Sequence, residues 1–357
     1  MTNPDARRRG EPPRRGRMTR RRPIRTLLRW IYGGLLGLAL LIFLAWGVLA
    51  LIYAGPRPQW LANALAGAWL IGELGALLVL PRRRGLATFA VLTLLLFGWW
   101  STLRPRNDRT WQPDVERLAS AELHGNLLTI TNVRNFDYRS ETDYTPRWET
   151  RTYDLARLNG LDFFMSYWSG PTIAHTIMSW DFDDGQHLAI SIETRKEVGE
   201  EYSAIAGFFR QYELYYVVAD ERDVIRLRTN YRHETVHLYQ LRAPIERARK
   251  LLLDYIAAVN RLVKDPEWYN AGTTNCTTTI RTHVTDIGVA MPLDWRLFAN
   301  GHLDELLYEK GSIDTSRPLA EVQAASIIDA RAQRADQDPA FSARIRDGMV
   351  RPPLRSP

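Results

Sequence analysis

The sequence predicts an α+β domain, a mainly antiparallel sheet with helices, preceded by three transmembrane helices. Three observations predict it. Long apolar runs with almost no charge fill residues 31–103. From residue 126 onward, short β-branched and aromatic runs alternate with period two, as half-buried strands do. Two amphipathic helical segments then open at Ala243-Pro244 and at Asn275-Cys276. Strands grouped before helices, rather than alternating with them, place two principal helices on an antiparallel sheet.

The membrane end comes first. The 357-residue chain carries a formal net charge of +7, but eleven arginines against Asp5 and Glu11 fall within residues 1–30. Arg82, Arg83 and Arg84 lie between two apolar runs, so the segment from Arg104 onward is net acidic. Basic residues flanking apolar runs are a topology signal, and no nucleic-acid partner is expected. Residues 1–29 read as a disordered basic cytoplasmic tail. Ile31–Ala54 has no charge, and at about 1.5 Å per residue it crosses a hydrocarbon core of roughly 30 Å. It is too long for a signal-peptide core, so it is retained. Gly55-Pro56-Arg57-Pro58 forms a tight loop, and residues 60–80 are a second span containing Glu73. Pro81–Arg84 is a basic turn. Residues 85–103 are a third span, closed by the interfacial pair Trp99-Trp100. The positive-inside rule puts the tail and the arginine turn in the cytoplasm and everything after Leu103 outside it. Glu73 is expected in the bundle interior, neutral or bonded to a tryptophan or the backbone.

Residues 104–114 read as a linker, 115–310 as the folded domain, and 311–357 as a helical extension with a disordered tail from Pro352. Asn126–Arg134 is a strand and 135–148 an irregular loop; two short elements follow, starting at Arg151 and Leu161. Ile173–Phe182 and Gln186–Arg195 flank Asp184-Gly185, a strong hairpin signal. A two-residue turn there sets His175 opposite Thr194, with Glu193 next in register and His187 close to the turn. Strands are expected at Tyr212–Val218, Asp223–Arg228 and Glu234–Leu241. A helix from Pro244 gathers Ile245, Ala248, Leu252, Tyr255, Val259 and Leu262 on one face and stops before Asp265-Pro266. Met291–Tyr308 is partly helical, and Ser316–Asp336 is a polar helical stretch.

Cys276 is the only cysteine, so the fold uses no internal disulfide. A free cysteine is most often a small buried hydrophobe. Here Asn275 can cap a helix that begins at Cys276, which puts unpaired N–H groups and a positive dipole end near the sulfur. That arrangement lowers a thiol pKa, and the same amides can hold an oxyanion. His175 is the expected base, with Glu193 as its orienter and His187 as the rival orienter. His283 lies about 10 Å further along the helix and is set aside. His233-Glu234-Thr235-Val236-His237 matches the zinc-protease pattern H-E-x-x-H, but its neighbours alternate as a strand, which would hold the two histidines about 13 Å apart. Neither a metal nor a cofactor is expected.

Histidine on a hairpin first and Asn-Cys-Thr at a helix start later is an order that resembles circularly permuted papain-like thiol enzymes of the NlpC type. Ala174-His175-Thr176, Ser191–Arg195, Thr229-Asn230-Tyr231-Arg232 and Tyr269-Asn270 followed by Asn275-Cys276-Thr277 resemble more closely the N-terminal periplasmic domain of Lnb-type lipoprotein N-acyltransferases. The resemblance covers roughly residues 115–300. It implies a papain-like fold, Cys276 as nucleophile and His175 as base. It also implies acyl transfer from phospholipid to a lipoprotein amino group through a thioester, in the inner membrane with the domain in the periplasm. Here the spans precede the domain, whereas the resemblance implies further spans after it. Three readings follow: a thiol acyltransferase or acyl hydrolase whose partners are membrane lipids and lipoproteins, a cysteine peptidase or amidase of the envelope, and a non-catalytic scaffold.

Overall fold

The structure, a computed structural model, describes residues 21–353. The tail expected over residues 1–29 lies outside the described residues up to residue 20, as do the last four positions of the C-terminal tail. The chain divides into two compact units, Met1–Ser101 and Thr102–Pro357.

The first unit consists of α1 (Arg21–Ala54), α2 (Gln59–Val79) and α3 (Arg82–Thr102). All three are long and apolar enough to cross a membrane. α1 starts ten residues before the expected span, because arginine is a good helix former and a proline in the first turn lacks only an N–H that has no helical partner. Likewise, Arg82–Arg84 are the first turn of α3 and not a separate turn. Glu73 is fully buried, and its partner is Thr93 of α3, whose hydroxyl donates to it at 3.2 Å. A side chain at Gly47 would come within 2.3 Å of the Trp69 ring, so glycine is what lets α1 and α2 approach there.

The second unit is built on an eight-stranded sheet. In chain order come β1 (Ser120–His124), β2 (Leu127–Arg134), β3 (Asp137–Tyr138), β4 (Tyr144–Thr145), β5 (Trp148–Asp154), β6 (Leu158–Tyr167), β7 (His175–Phe182), β8 (His187–Arg195) and β9 (Glu213–Ala219). There follow α4 (Glu221–Arg226), β10 (Thr235–Gln240), α5 (Ile245–Lys264), α6 (Cys276–Asp286), α7 (Leu303–Glu309), α8 (Leu319–Ser326), α9 (Asp329–Arg334) and α10 (Phe341–Arg344). The strand order is β1-β2-β9-β8-β7-β6-β10, with β5 also paired to β2. The pairings are antiparallel apart from one parallel bridge between β2 and β9. β3 and β4 form a small separate hairpin inside the loop expected to be irregular.

Both faces of the sheet are covered. On one, Phe164, Ile177, Ala189 and Val217 pack with Val224 and Ile225 of α4 and with Ile328, Ala332, Phe341 and Ile345 from the C-terminal segment. Residues after 311, expected as an extension, thus complete this core. α9 and α10 are too short to display a helical period, which hides their role in the sequence. On the opposite face, Trp180 Nε1 donates to the Ala248 carbonyl of α5 at 2.9 Å, and Tyr255 packs between Trp180 and His283 of α6. The stripe read for α5 is the buried one except for Ile245, which is exposed at the helix start.

Two expectations change. Asp223–Arg228 is not a strand. Asp220 caps α4 by accepting the Arg222 N–H, and burial of most of its short length leaves no periodic signal. A π-helical turn, Leu227–Tyr231, follows directly. The β7–β8 loop has three residues rather than two. Asp181 pairs with His187 and Ile177 with Ser191, and Gly185 takes the left-handed conformation at φ +83. The register moves by one residue, and its continuation sets His175 opposite Glu193.

Candidate active site

Asn275 closes the loop after α5 and starts α6. Its side chain accepts the N–H groups of Thr277 and Thr278 at 3.0 and 2.9 Å, and Thr278 Oγ1 accepts the Asn275 N–H at 3.0 Å. This reciprocal capping box makes Cys276 the first residue of the helix. It also bears on the amides expected, at Asn275 and Cys276, to hold an oxyanion. The cap uses the Thr277 and Thr278 amides, so among the described residues the first-turn amide without such a partner is that of Cys276 itself.

His175 opens β7 and reaches the same point from the sheet. Its Nε2 lies 2.6 Å from Ser191 Oγ, and the Ser191 hydroxyl donates to Glu193 Oε1 at 2.7 Å. A hydroxyl has one proton, so Ser191 accepts from a proton on Nε2. That tautomer leaves Nδ1 for the thiol. Glu193 lies 3.5 Å from Nε2 and also accepts from Arg228 at 3.0 Å. Arg228 stands on the π-helical turn and bridges to Glu234 at 3.1 Å, and Ser166 donates to the same carboxylate. The base and its carboxylate therefore share the α4-covered face of the sheet, while α6 brings the sulfur from the other face.

The charges are coupled. Burial pushes the Cys276 thiol up, but the His175 charge and hydrogen bonds from His175 and Thr176 bring it down to about 6. Burial and the Arg228 charge push His175 down, yet the Cys276 thiolate and Glu193 hold it above its ordinary value. Burial would raise Glu193, but the His175 hydrogen bond and the Arg228 charge hold it well below the carboxylate range. The arrangement favours a thiolate–imidazolium pair, the reactive form of a cysteine nucleophile.

The structure brings Cys276, His175 and Glu193 together and leaves His187 out. His187 pairs across the hairpin with Asp181, six residues along β7 from His175, about 20 Å away at the rise of a strand. His283 is held by Asp254 at 2.6 Å and Tyr216 at 2.7 Å. The H-E-x-x-H run enters β10, where Glu234 serves Arg228 and His237 bonds Ser326 at 2.8 Å. The sequence reading missed Ser191, Arg228, Thr176 and Asn300. Asn300 is buried, and its amide donates to the Ala174 carbonyl at 2.6 Å and to Thr277 Oγ1 at 2.7 Å, while its Oδ1 accepts the Ala174 N–H. It thereby ties the residue before His175 to the residue after Cys276. Ser191 was legible from the strand period, being two residues from Glu193. Nothing local marks Asn300 or Arg228.

The fold and the site define a membrane-attached α+β domain with a buried cysteine–histidine–carboxylate constellation. Residues 144–301 match the family model of the Lnb N-terminal periplasmic domain, and this region of the chain belongs to that family. The match spans Cys276, His175, Glu193, Arg228 and Asn300. With three apolar helices ahead of it, the chain is a membrane protein with a periplasmic domain. No curated protein and no solved structure matches it.

Proposed function

We propose that this domain is a papain-like thiol acyltransferase or lipid-acyl hydrolase, anchored in the inner membrane and acting on lipids or lipoproteins. The observation that carries this reading is the relay from His175 Nε2 through Ser191 to Glu193, which leaves Nδ1 to serve the Cys276 thiol. His175 takes the thiol proton, and the sulfur adds to an ester carbonyl. The Cys276 N–H supports the oxyanion. Collapse breaks the C–O bond, and His175 returns the proton to the leaving alkoxide, giving a thioester. An amine then attacks the thioester carbonyl, His175 takes the proton it loses, the C–S bond breaks, and the products are an amide and the restored thiolate–imidazolium pair. Water in place of the amine releases the free acid. The amine fits a lipoprotein N-terminus, as the family likeness implies.

The test is labelling of the full-length protein with iodoacetamide at neutral pH, with Cys276→Ser as control, joined to mass spectrometry of lipoprotein N-termini in a deletion strain. Rapid labelling and loss of N-acylation are expected. An inert Cys276 would sink the enzyme reading in favour of a scaffold. A reactive Cys276 with unchanged N-termini would turn the reading toward an envelope peptidase or amidase.

A further inference from the structure

A cavity of about 440 Å³ lies between the β6–β7 face of the sheet and helices α5, α6 and α7. Its size falls within the range of small-molecule sites, about 300–1,000 Å³. Phe163 and Met178 line it from the sheet, Ile280 and Val284 from α6, and Leu303 and Leu306 from α7. Thr176 and Thr277 line it as well, and both also reach the sulfur. Thr277 Oγ1 is 3.8 Å from Sγ, and Thr176 lies close enough to help lower the thiol pKa. The cavity thus ends beside the reacting cysteine, lined by its neighbours Thr176 and Thr277 and not by Cys276 itself. Thr176 is fully buried, as is most of the wall near it, while Arg247 and Lys310 stand exposed at the rim. The space is a largely hydrocarbon trunk that runs from beside the cysteine to a charged mouth, where Glu309 stands exposed next to Lys310 and Arg296 is paired with Asp294 and Glu309.

A peptide threaded here would leave backbone N–H and C=O groups unpaired against hydrocarbon, at a cost that an alkyl chain does not incur. We infer that this cavity holds the long unbranched alkyl chain of the acyl group whose carbonyl reacts at Cys276. The inference rests on the thiol-acyl reading above and adds the chain's location and the basis of its length selection.

The experiment compares labelling rates of Cys276 by iodoacetamide and by N-hexadecyl iodoacetamide, read by intact mass spectrometry on the full-length protein in detergent micelles. Two cavity-filling variants are used, Met178→Trp at the buried wall and Val284→Trp at a half-buried position that tolerates the larger ring. Micelle partitioning of the long probe is common to all three proteins and cancels in the comparison. Filling is expected to cut the hexadecyl rate about ten-fold or more, in line with the burial of several methylenes, and to leave the iodoacetamide rate unchanged. Retention of the full hexadecyl rate in Val284→Trp, with iodoacetamide labelling intact, overturns the inference and leaves the thiol reading standing. A wild-type Cys276 that neither probe labels overturns the thiol reading itself, and the inference with it.

Discussion

The β7–β8 hairpin sets a histidine beside a carboxylate at each of its ends, and the two ends differ in what the second ring nitrogen meets. At the turn, His187 Nε2 lies 3.2 Å from Asp181, and its Nδ1 donates to the Gly185 carbonyl. Asp181 also holds Arg351, which reaches Asp162, and Arg346 binds both Asp162 and Glu221. That network closes on itself. At the open end, His175 uses one nitrogen on the Ser191–Glu193 relay and has the other for a sulfur. A buried histidine–carboxylate pair is thus structural when both nitrogens are spent within the fold. It becomes a candidate base when one is left over for a nucleophile.

The largest effect falls on the closed end. Arg346→Met strips Glu221 of its cation and leaves it only the Ser179 hydroxyl, while Asp162 keeps Arg351. Breaking a buried ion pair from one side costs about 3–5 kcal/mol, so the melting temperature of the periplasmic unit should drop sharply. Iodoacetamide labelling of the protein that remains folded should keep its wild-type rate. A slowed labelling rate at temperatures where the fold is intact would show the two ends to be coupled and break the comparison.

Next in size is the histidine swap. His175→Ala removes the cation that holds the Cys276 thiol at about 6. The thiol then returns toward about 8.5 or above, and labelling at pH 7 should slow about 30-fold. His187→Ala should leave the rate unchanged and lower only stability. Equal slowing in both variants, measured by mass spectrometry of the alkylated protein, would contradict the division of roles.

How much of this was legible beforehand follows the range of each interaction. The Asn275 cap was legible because capping is settled within four residues. The meeting of His175 and Glu193 was half legible. The Asp-Gly signal gave the hairpin, but the two-residue turn put Thr194 rather than Glu193 on the histidine's face. One residue of register exchanges the faces, and the extra loop residue, Asp183, restored Glu193 to the right one. Arg228 and Asn300 reach the site only through the tertiary fold, from a π-helical turn and from a 3-10 turn directly before α7. The C-terminal segment was read as polar because Ile328, Ala332, Phe341 and Ile345 are scattered over short helices. Their contribution exists only once the sheet is there to receive them.

The smallest effects resolve the relay itself. Labelling of the wild type should rise as pH climbs through about 6 and then level off, since the thiolate is the alkylated form and is complete above that point. Glu193→Gln removes the charge that supports the His175 imidazolium, so the thiolate loses part of its partner and the midpoint should move up by about one pH unit, a tenfold change. Ser191→Ala removes only the bridging hydroxyl. Glu193 already lies 3.5 Å from Nε2 and can close on it directly, so the shift should be a few tenths of a unit, about two-fold in rate at pH 6. The order of the two shifts is the discriminating result. If Ser191→Ala moves the midpoint as far as Glu193→Gln, the hydroxyl and not the carboxylate sets the tautomer. The open end of the hairpin would then owe its chemistry to the hydrogen bond alone, and the contrast with Asp181 and His187 would lie in geometry, not charge.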